Sequence, residues 1–77
     1  MNEVEKIIYD AIAHANGEEV MALSDEDPLL EKLEFDSFTT VMFLLELDSQ
    51  FPGKLELQKF DRQITFGALK RLLAGEA

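Results

Sequence analysis

The segment from Asp36 to Gly53 constrains the fold of this 77-residue chain more than any other part of the sequence. Asp36 is a favoured helix N-cap and Pro52-Gly53 is a strong terminator, so we expect a helix from Ser37 to about Phe51. At 100° per residue, apolar side chains fall on two sides of this helix, although one side is enough to dock it on its neighbours. The first side carries Phe43, Leu44, Leu47 and Phe51, and the second carries Phe38, Met42 and Leu45, with Val41 between them.

Two explanations of the second apolar side stay open from the sequence. The preceding chain, with Leu29, Leu30, Leu33 and Phe35, can fold over it. Alternatively, the side is exposed and docks partner proteins. Met42 suits such a surface because methionine is flexible and repacks against varied partners.

Two further amphipathic patterns predict helices on either side of the middle one. Apolar residues recur at three- and four-residue spacing from Val4 to Ala15, which predicts a helix over about residues 3–15 with Asn2 as its cap. Near the other end, Thr65 can cap a final helix. The apolar residues of that helix are Phe66, Leu69, Leu72 and Leu73.

A long connection over residues 17–36 separates the first two principal helices. We expect Val20, Met21 and Leu23 to pin it to the core. Asp27 followed by Pro28 is typical of an N-cap and a first helical residue, so a short helical turn is predicted over residues 28–32. A second short turn is predicted near residues 57–60.

These patterns predict an all-α fold, a small bundle of three to four helices with a long first loop. The length suits one domain over residues 1–77, with an ordered core over about 3–74. The chain has no cysteine, so disulfides and thiolate nucleophiles are excluded and helix packing must hold the fold.

The charge balance excludes some partners. Sixteen acidic and seven basic residues give a net charge of −9, which repels nucleic acid and anionic membranes. No stretch approaches the roughly 20 apolar residues of a membrane span, and the N-terminal residues do not resemble a signal peptide. We expect a cytoplasmic monomer.

The start of the middle helix reads Phe35-Asp36-Ser37-Phe38-Thr39-Thr40-Val41, followed by Leu44-Leu45, Leu47 and Phe51. This stretch resembles the phosphopantetheine attachment region of acyl carrier proteins, in which an Asp-Ser and an apolar residue stand where a long loop meets the second helix. Together with Phe60-Asp61-Arg62 and Thr65, it is most similar to the D-alanyl and aminoacyl carrier proteins.

The resemblance implies a stand-alone carrier, not an enzyme. Ser37 would bear a covalent 4′-phosphopantetheine arm, and Asp36 would assist its attachment. The implied partners are a phosphopantetheinyl transferase, an acyl- or aminoacyl-activating ligase and a downstream transferase or synthase. The implied docking residues are Phe38, Val41, Met42 and Leu45, with Glu46 and Asp48 as further candidates for contacting basic partners.

Three positions depart from the carrier pattern. Many carriers have glycine where this chain has Glu34, and many fatty-acid carriers have acidic residues where it has Thr39 and Met42. The docking face is therefore less acidic and more apolar than theirs. Because Phe43 and Phe66 can fill the space that a long acyl chain needs, our hypothesis is a small carried group.

Other classes of function fit the sequence less well. The single histidine, His14, lies near the edge of an apolar helix face, which favours a solvated side chain over a catalytic one. A calcium loop starting at Asp48 would place Pro52 and Lys59 where ligands are needed, so no metal site is expected. The rival hypothesis is an acidic helical adaptor without an arm, which docks its middle helix on a partner protein.

Overall fold

The computed structural model describes residues 3–17, 22–56 and 60–75. Within these residues the chain forms four helices, α1 (Glu3–Asn16), α2 (Leu29–Lys32), α3 (Ser37–Gln50) and α4 (Phe66–Leu73). The predicted all-α bundle with a long first connection is confirmed. Asn2, Val20, Met21 and residues 57–59 lie outside the described part, so the predictions made for them have no structural counterpart here.

Local capping sets the starts of α3 and α4 as the sequence predicts. Asp36 Oδ1 accepts a hydrogen bond of 2.7 Å from the Thr39 backbone N–H. Thr65 Oγ1 accepts one of 3.2 Å from the Ala68 backbone N–H. Each bond satisfies an N–H group that has no partner inside its helix.

The core lies between α1, α3, α4 and the α2 turn. Two aromatic pairs fix its ends: Tyr9 and Phe66 have ring centroids 5.5 Å apart, and Phe35 meets Phe43 edge-on at 5.6 Å. Such tilted and edge-on pairs are favoured because they match the charge distribution of the rings. The largest fully buried side chains are Phe43, Phe66, Ile8, Ile12, Leu29, Leu30, Leu47 and Leu69.

The first connection is tied to α1 and α4 by backbone hydrogen bonds. The Leu23 N–H donates to Tyr9 Oη at 2.9 Å, and the Gly67 N–H donates to the Asp25 carbonyl at 2.9 Å. A Cβ atom added to Gly67 would lie 2.9 Å from Asp25 Cβ, closer than real contacts allow. Glycine at position 67 therefore lets the loop lie directly on the start of α4.

Pro28 and Thr65 form an isolated antiparallel bridge just before α2 and α4. The Leu29 N–H donates to the Ile64 carbonyl at 3.2 Å, and the Phe66 N–H donates to the Asp27 carbonyl at 2.9 Å. This bridge joins the entries of the two helices, so their starting points are fixed relative to each other.

Lys70 adds a charged contact to the same junction. Its Nζ lies 2.7 Å from Asp25 Oδ1, 3.8 Å from Glu5 Oε2 and 4.7 Å from the centroid of the Phe66 ring. The hydrogen bond to Asp25 is the main reason that the pKa of Lys70 is raised above its ordinary value. One ammonium thus links α1, the first connection and α4.

The predicted capping role of Asp27 is wrong. The N-cap of α2 is Pro28, whose ψ of 96° is extended because it takes part in the bridge to Thr65, so the helix begins one residue later. The Asp27 carboxylate instead accepts hydrogen bonds from the Ser24 N–H at 2.7 Å and from Lys32 Nζ at 3.0 Å. Both hydrogen bonds lower the pKa of Asp27, and the bond from Ser24 has the larger effect.

None of the helices in the described ranges is long and apolar enough to cross a membrane.

Candidate functional site

The chain enters α3 through a tight reversal at the end of α2. The Phe35 N–H donates to the Leu30 carbonyl and the Glu34 N–H donates to the Glu31 carbonyl, both at 3.1 Å. These two bonds are the pattern of a Schellman motif. The motif requires a left-handed residue at its turn, and Glu34 occupies it with φ of 56°.

Glu34 therefore has the backbone conformation that glycine adopts most easily. This is the position at which the resemblance to carriers leads one to expect glycine, and the glutamate here adopts a glycine-like backbone conformation. The sequence signal that we missed is the pairing of Leu30 with Phe35, since an apolar contact between these two positions accompanies the Schellman motif.

Phe35 anchors the residue pair that follows it. Its side chain is buried and packs on Phe43 of α3. Its carbonyl accepts a hydrogen bond of 3.4 Å from Arg62 Nη2, which comes from the loop before α4. Because the Phe35 ring is buried against Phe43, the backbone of Asp36 and Ser37 leaves the core at a defined point.

Asp36 is exposed and caps α3 with both its side chain and its backbone. Its carbonyl accepts from the Thr40 N–H at 3.0 Å and from Thr40 Oγ1 at 2.8 Å. The Thr39 N–H donates to the carboxylate, and this contact is the main cause of a lowered pKa for Asp36. A negative carboxylate is also favoured at the positive end of a helix dipole.

Ser37 is the first residue of α3 and is exposed to solvent. A group attached to its hydroxyl would extend into water and would displace no core side chain. A phosphodiester suits this end of the helix, where the dipole and the first N–H groups favour anions. The surroundings of Ser37 therefore fit a phosphate-linked arm.

The second apolar side of α3 is exposed, and we call it the outer face. Its residues stand at i, i+3, i+4 and i+7, so they form one stripe on the helix. The chain before α3 does not cover it, because Leu29, Leu30 and Phe35 are buried in the core and Leu33 is partly buried against the core. The exposed fractions of the outer face are 74% for Phe38, 52% for Val41, 45% for Met42 and 51% for Leu45.

The two acidic candidates on α3 lie at its flanks. Glu46 Oε1 is 2.9 Å from His14 Nδ1, so this carboxylate is engaged with α1. Asp48 is half-exposed. His14 is exposed and makes a surface contact between α1 and α3. Among the described residues there is no group of three or more His, Asp or Glu side chains that could hold a metal ion.

Asp36, Ser37 and the outer face thus lie on the exposed side of α3, while Glu46 and Asp48 lie at its flanks. Asp36 is the N-cap and Ser37 is the first residue of this helix, and the outer face continues from them. Arg62 also reaches this region, and sequence reasoning gave it no role because the contact depends on how the loop before α4 folds back.

Protein-family models, curated proteins and solved structures were each compared with the chain, and none of them matches it. The resemblance to carrier proteins therefore rests on the sequence motif alone.

Proposed function

We propose that this chain is a carrier protein whose Ser37 bears a phosphopantetheine arm. The observation that carries the proposal is the combination of an exposed Ser37 at the capped start of α3 with the exposed outer face directly after it. An attachment point and a protein-binding surface on one helix are what a carrier needs, because enzymes must hold the protein while they act on its arm.

Each residue has a distinct part in the proposed function. Ser37 Oγ gives up its proton and bonds to the pantetheine phosphate of coenzyme A, as adenosine 3′,5′-bisphosphate leaves. Asp36, ionised at neutral pH because its pKa is lowered, keeps the first turn formed and presents a negative charge beside the hydroxyl. Once bound, the arm supplies the thiol that the cysteine-free chain lacks, which can hold a carried group as a thioester.

The outer face supports docking by physical reasoning. Exposing large apolar side chains in a row has no benefit for the stability of the chain, and such patches mark interaction sites in soluble proteins. We propose that the transferase, the activating ligase and the downstream transferase or synthase each bind here, in the cytoplasm. Phe43 and Phe66 are at most 1% exposed and fill the core, which favours a small acyl or aminoacyl group over a long chain.

Intact mass measurement tests the proposal. The purified protein is incubated with coenzyme A and a broad-specificity phosphopantetheinyl transferase, beside a carrier known to be modified. We expect the mass to rise by one phosphopantetheinyl unit. Peptide mapping should locate the added unit on Ser37.

The chain contains a matched control. Ser49 is also an exposed serine on α3, but it stands in the last turn, where its hydroxyl donates to the Glu46 carbonyl at 2.8 Å. Ser37→Ala should abolish modification, whereas Ser49→Ala should leave it intact. An unchanged wild-type mass, with the known carrier modified alongside, would contradict the proposal.

The second candidate is an unmodified acidic adaptor, which the exposed outer face also favours. An adaptor needs α3 but not the hydroxyl of Ser37. In cells that depend on the protein, an adaptor should tolerate Ser37→Ala and fail with Leu45→Glu, while a carrier should fail with both.

A further inference from the structure

Arg62 is the cation that the described structure brings to the residue before Asp36. Its Nη2 donates to the Phe35 carbonyl over 3.4 Å, which is long for an N–H···O bond. A guanidinium has five N–H donors in a planar fork, and this contact uses one of them. The Arg62 guanidinium is therefore held near the start of α3 by a weak hydrogen bond. This bond uses only one of its five N–H donors.

The distance between Arg62 and Ser37 is comparable with the electrostatic screening length. Two Cα–Cα steps of about 3.8 Å separate Phe35 from Ser37, so Arg62 Nη2 lies within roughly 11 Å of the Ser37 Cα atom. The screening length in 0.1 M salt is about 10 Å. Because Arg62 is exposed, its side chain can change rotamer without any change in the backbone.

A phosphodiester on Ser37 would enter an acidic environment. It would stand beside the ionised carboxylate of Asp36, on a chain whose net charge is already −9. Guanidinium groups bind phosphate oxygens through paired N–H donors, which a single ammonium cannot reproduce. The neighbouring Asp61 has a contact within its own turn, where its Oδ1 accepts a hydrogen bond of 2.8 Å from the Gln63 N–H.

We propose that Arg62 pairs with the phosphodiester of the arm on Ser37 and fixes the direction in which the arm leaves the protein. This inference rests on the proposed carrier function. Before modification, Arg62 holds the Phe35 carbonyl; after modification, its guanidinium binds the phosphate oxygens. The loop before α4 then contacts the arm directly and becomes part of the surface that partner enzymes meet.

The two arginines of the chain allow a direct test by NMR. Arg62 and Arg71 are the only arginines in the sequence, so the side-chain Nε–Hε region of a ¹⁵N spectrum holds two signals to assign. Arg71 lies in the last turn of α4 and serves as the internal control. On conversion from the unmodified to the modified protein, the Arg62 signal should shift and the Arg71 signal should stay in place.

Stability measurements on matched variants provide the second arm of the test. Arg62→Gln should make the folding equilibrium constant of the modified protein about twofold to fivefold less favourable, as expected for an exposed ion pair, with a smaller effect on the unmodified protein. Arg71→Gln should affect both forms equally. The Arg62→Gln difference should shrink in high salt, because screening weakens the pair.

The outcomes separate this inference from the proposed function. A protein that gains no mass with coenzyme A and transferase overturns both. A modified protein in which the Arg62 signal does not move, and in which Arg62→Gln affects both forms equally, overturns the role of Arg62 and leaves the carrier function standing.

Discussion

Helix α3 has two apolar faces that the protein treats in opposite ways. The inner face, formed by Thr40, Phe43, Leu44 and Leu47, is at most 7% exposed, while the side chains of the outer face are 45–74% exposed. Both faces repeat at three- and four-residue spacing, so periodicity alone does not distinguish them. The difference teaches that the packing of α1 against α3 selects the core side.

The two faces should also differ in what maintains them. Burial of the inner face removes apolar surface from water, which stabilises the fold by about 25 cal/mol per Å². The outer face gains no such energy and exposes the chain to unwanted association. We propose that its apolar residues serve binding, and the following predictions test this division from the largest effect to the smallest.

The same substitution on each face gives the sharpest contrast. Phe43→Ala removes a fully buried ring and should lower the free energy of unfolding by about 3–5 kcal/mol. Phe38→Ala removes an exposed ring and should change it by no more than about 0.5 kcal/mol. Urea unfolding followed by circular dichroism measures both values.

A large loss of stability in Phe38→Ala would break the comparison, since it would mean that the outer face is covered in solution. Should Phe43→Ala fail to fold, Phe43→Leu offers a milder change at the same position, and it should still destabilise the protein more than Phe38→Leu.

The N-cap of α3 is expected to have the next largest effect. Asp36→Ala removes the hydrogen bond to the Thr39 N–H and should cost about 1 kcal/mol of stability. Asp36→Asn keeps a capping oxygen without the charge, so it should retain most of the stability. Chemical denaturation of the three proteins checks this order, which would be contradicted if Asn and Ala were equally destabilising.

Glu34→Gly tests the left-handed turn that precedes α3. A non-glycine residue in the left-handed region, as Glu34 is, is strained by about 1–2 kcal/mol, and glycine would remove this strain. Glycine is also more flexible in the unfolded chain, which offsets roughly 0.5–1 kcal/mol of the gain. We expect a gain in unfolding free energy of less than about 1 kcal/mol, measured by thermal and urea unfolding. A clear loss would show that the Glu34 side chain stabilises the turn.

Acid should weaken the start of α3 slightly. The pKa of Asp36 is lowered in the folded state, so its contribution to stability is present above the ordinary aspartate value of about 3.9 and is lost as the pH falls through the folded value. Asp27 behaves in the same way. The stability of the wild type relative to Asp36→Asn should therefore fall below about pH 4. Stability curves of the two proteins that run in parallel through this acid range would contradict the prediction.

The sequence predicts the parts of this fold that depend on neighbours in the chain. The caps at Asp36 and Thr65 follow from side chains that bond to N–H groups three residues later. The exposure of the outer face does not follow, because it depends on Leu29 and Leu30 packing into the core. The bridge between Pro28 and Thr65 also cannot be predicted from neighbouring residues, because it joins two distant parts of the chain. Because of this bridge α2 begins at Leu29, one residue later than predicted.

The candidate site divides in the same manner. Asp36 and Ser37 are found from the sequence because a cap and its first helical residue are adjacent. Arg62 is 27 residues from Phe35, so their contact exists only once the loop before α4 has folded back. The left-handed turn at Glu34 was hidden because a glutamate stood where glycine is usual.

The bridge between Pro28 and Thr65 has a consequence for how the chain can change in length. It closes a loop that contains the whole of α2 and α3, and the entropy of closing a loop grows only with the logarithm of its length. Even a doubling of that loop would cost roughly 0.6 kcal/mol. Residues inserted beside the exposed Gly53, away from Arg62 and the buried Leu55, should therefore leave the rest of the fold intact, which makes this turn a suitable place for an affinity tag or a reporter domain.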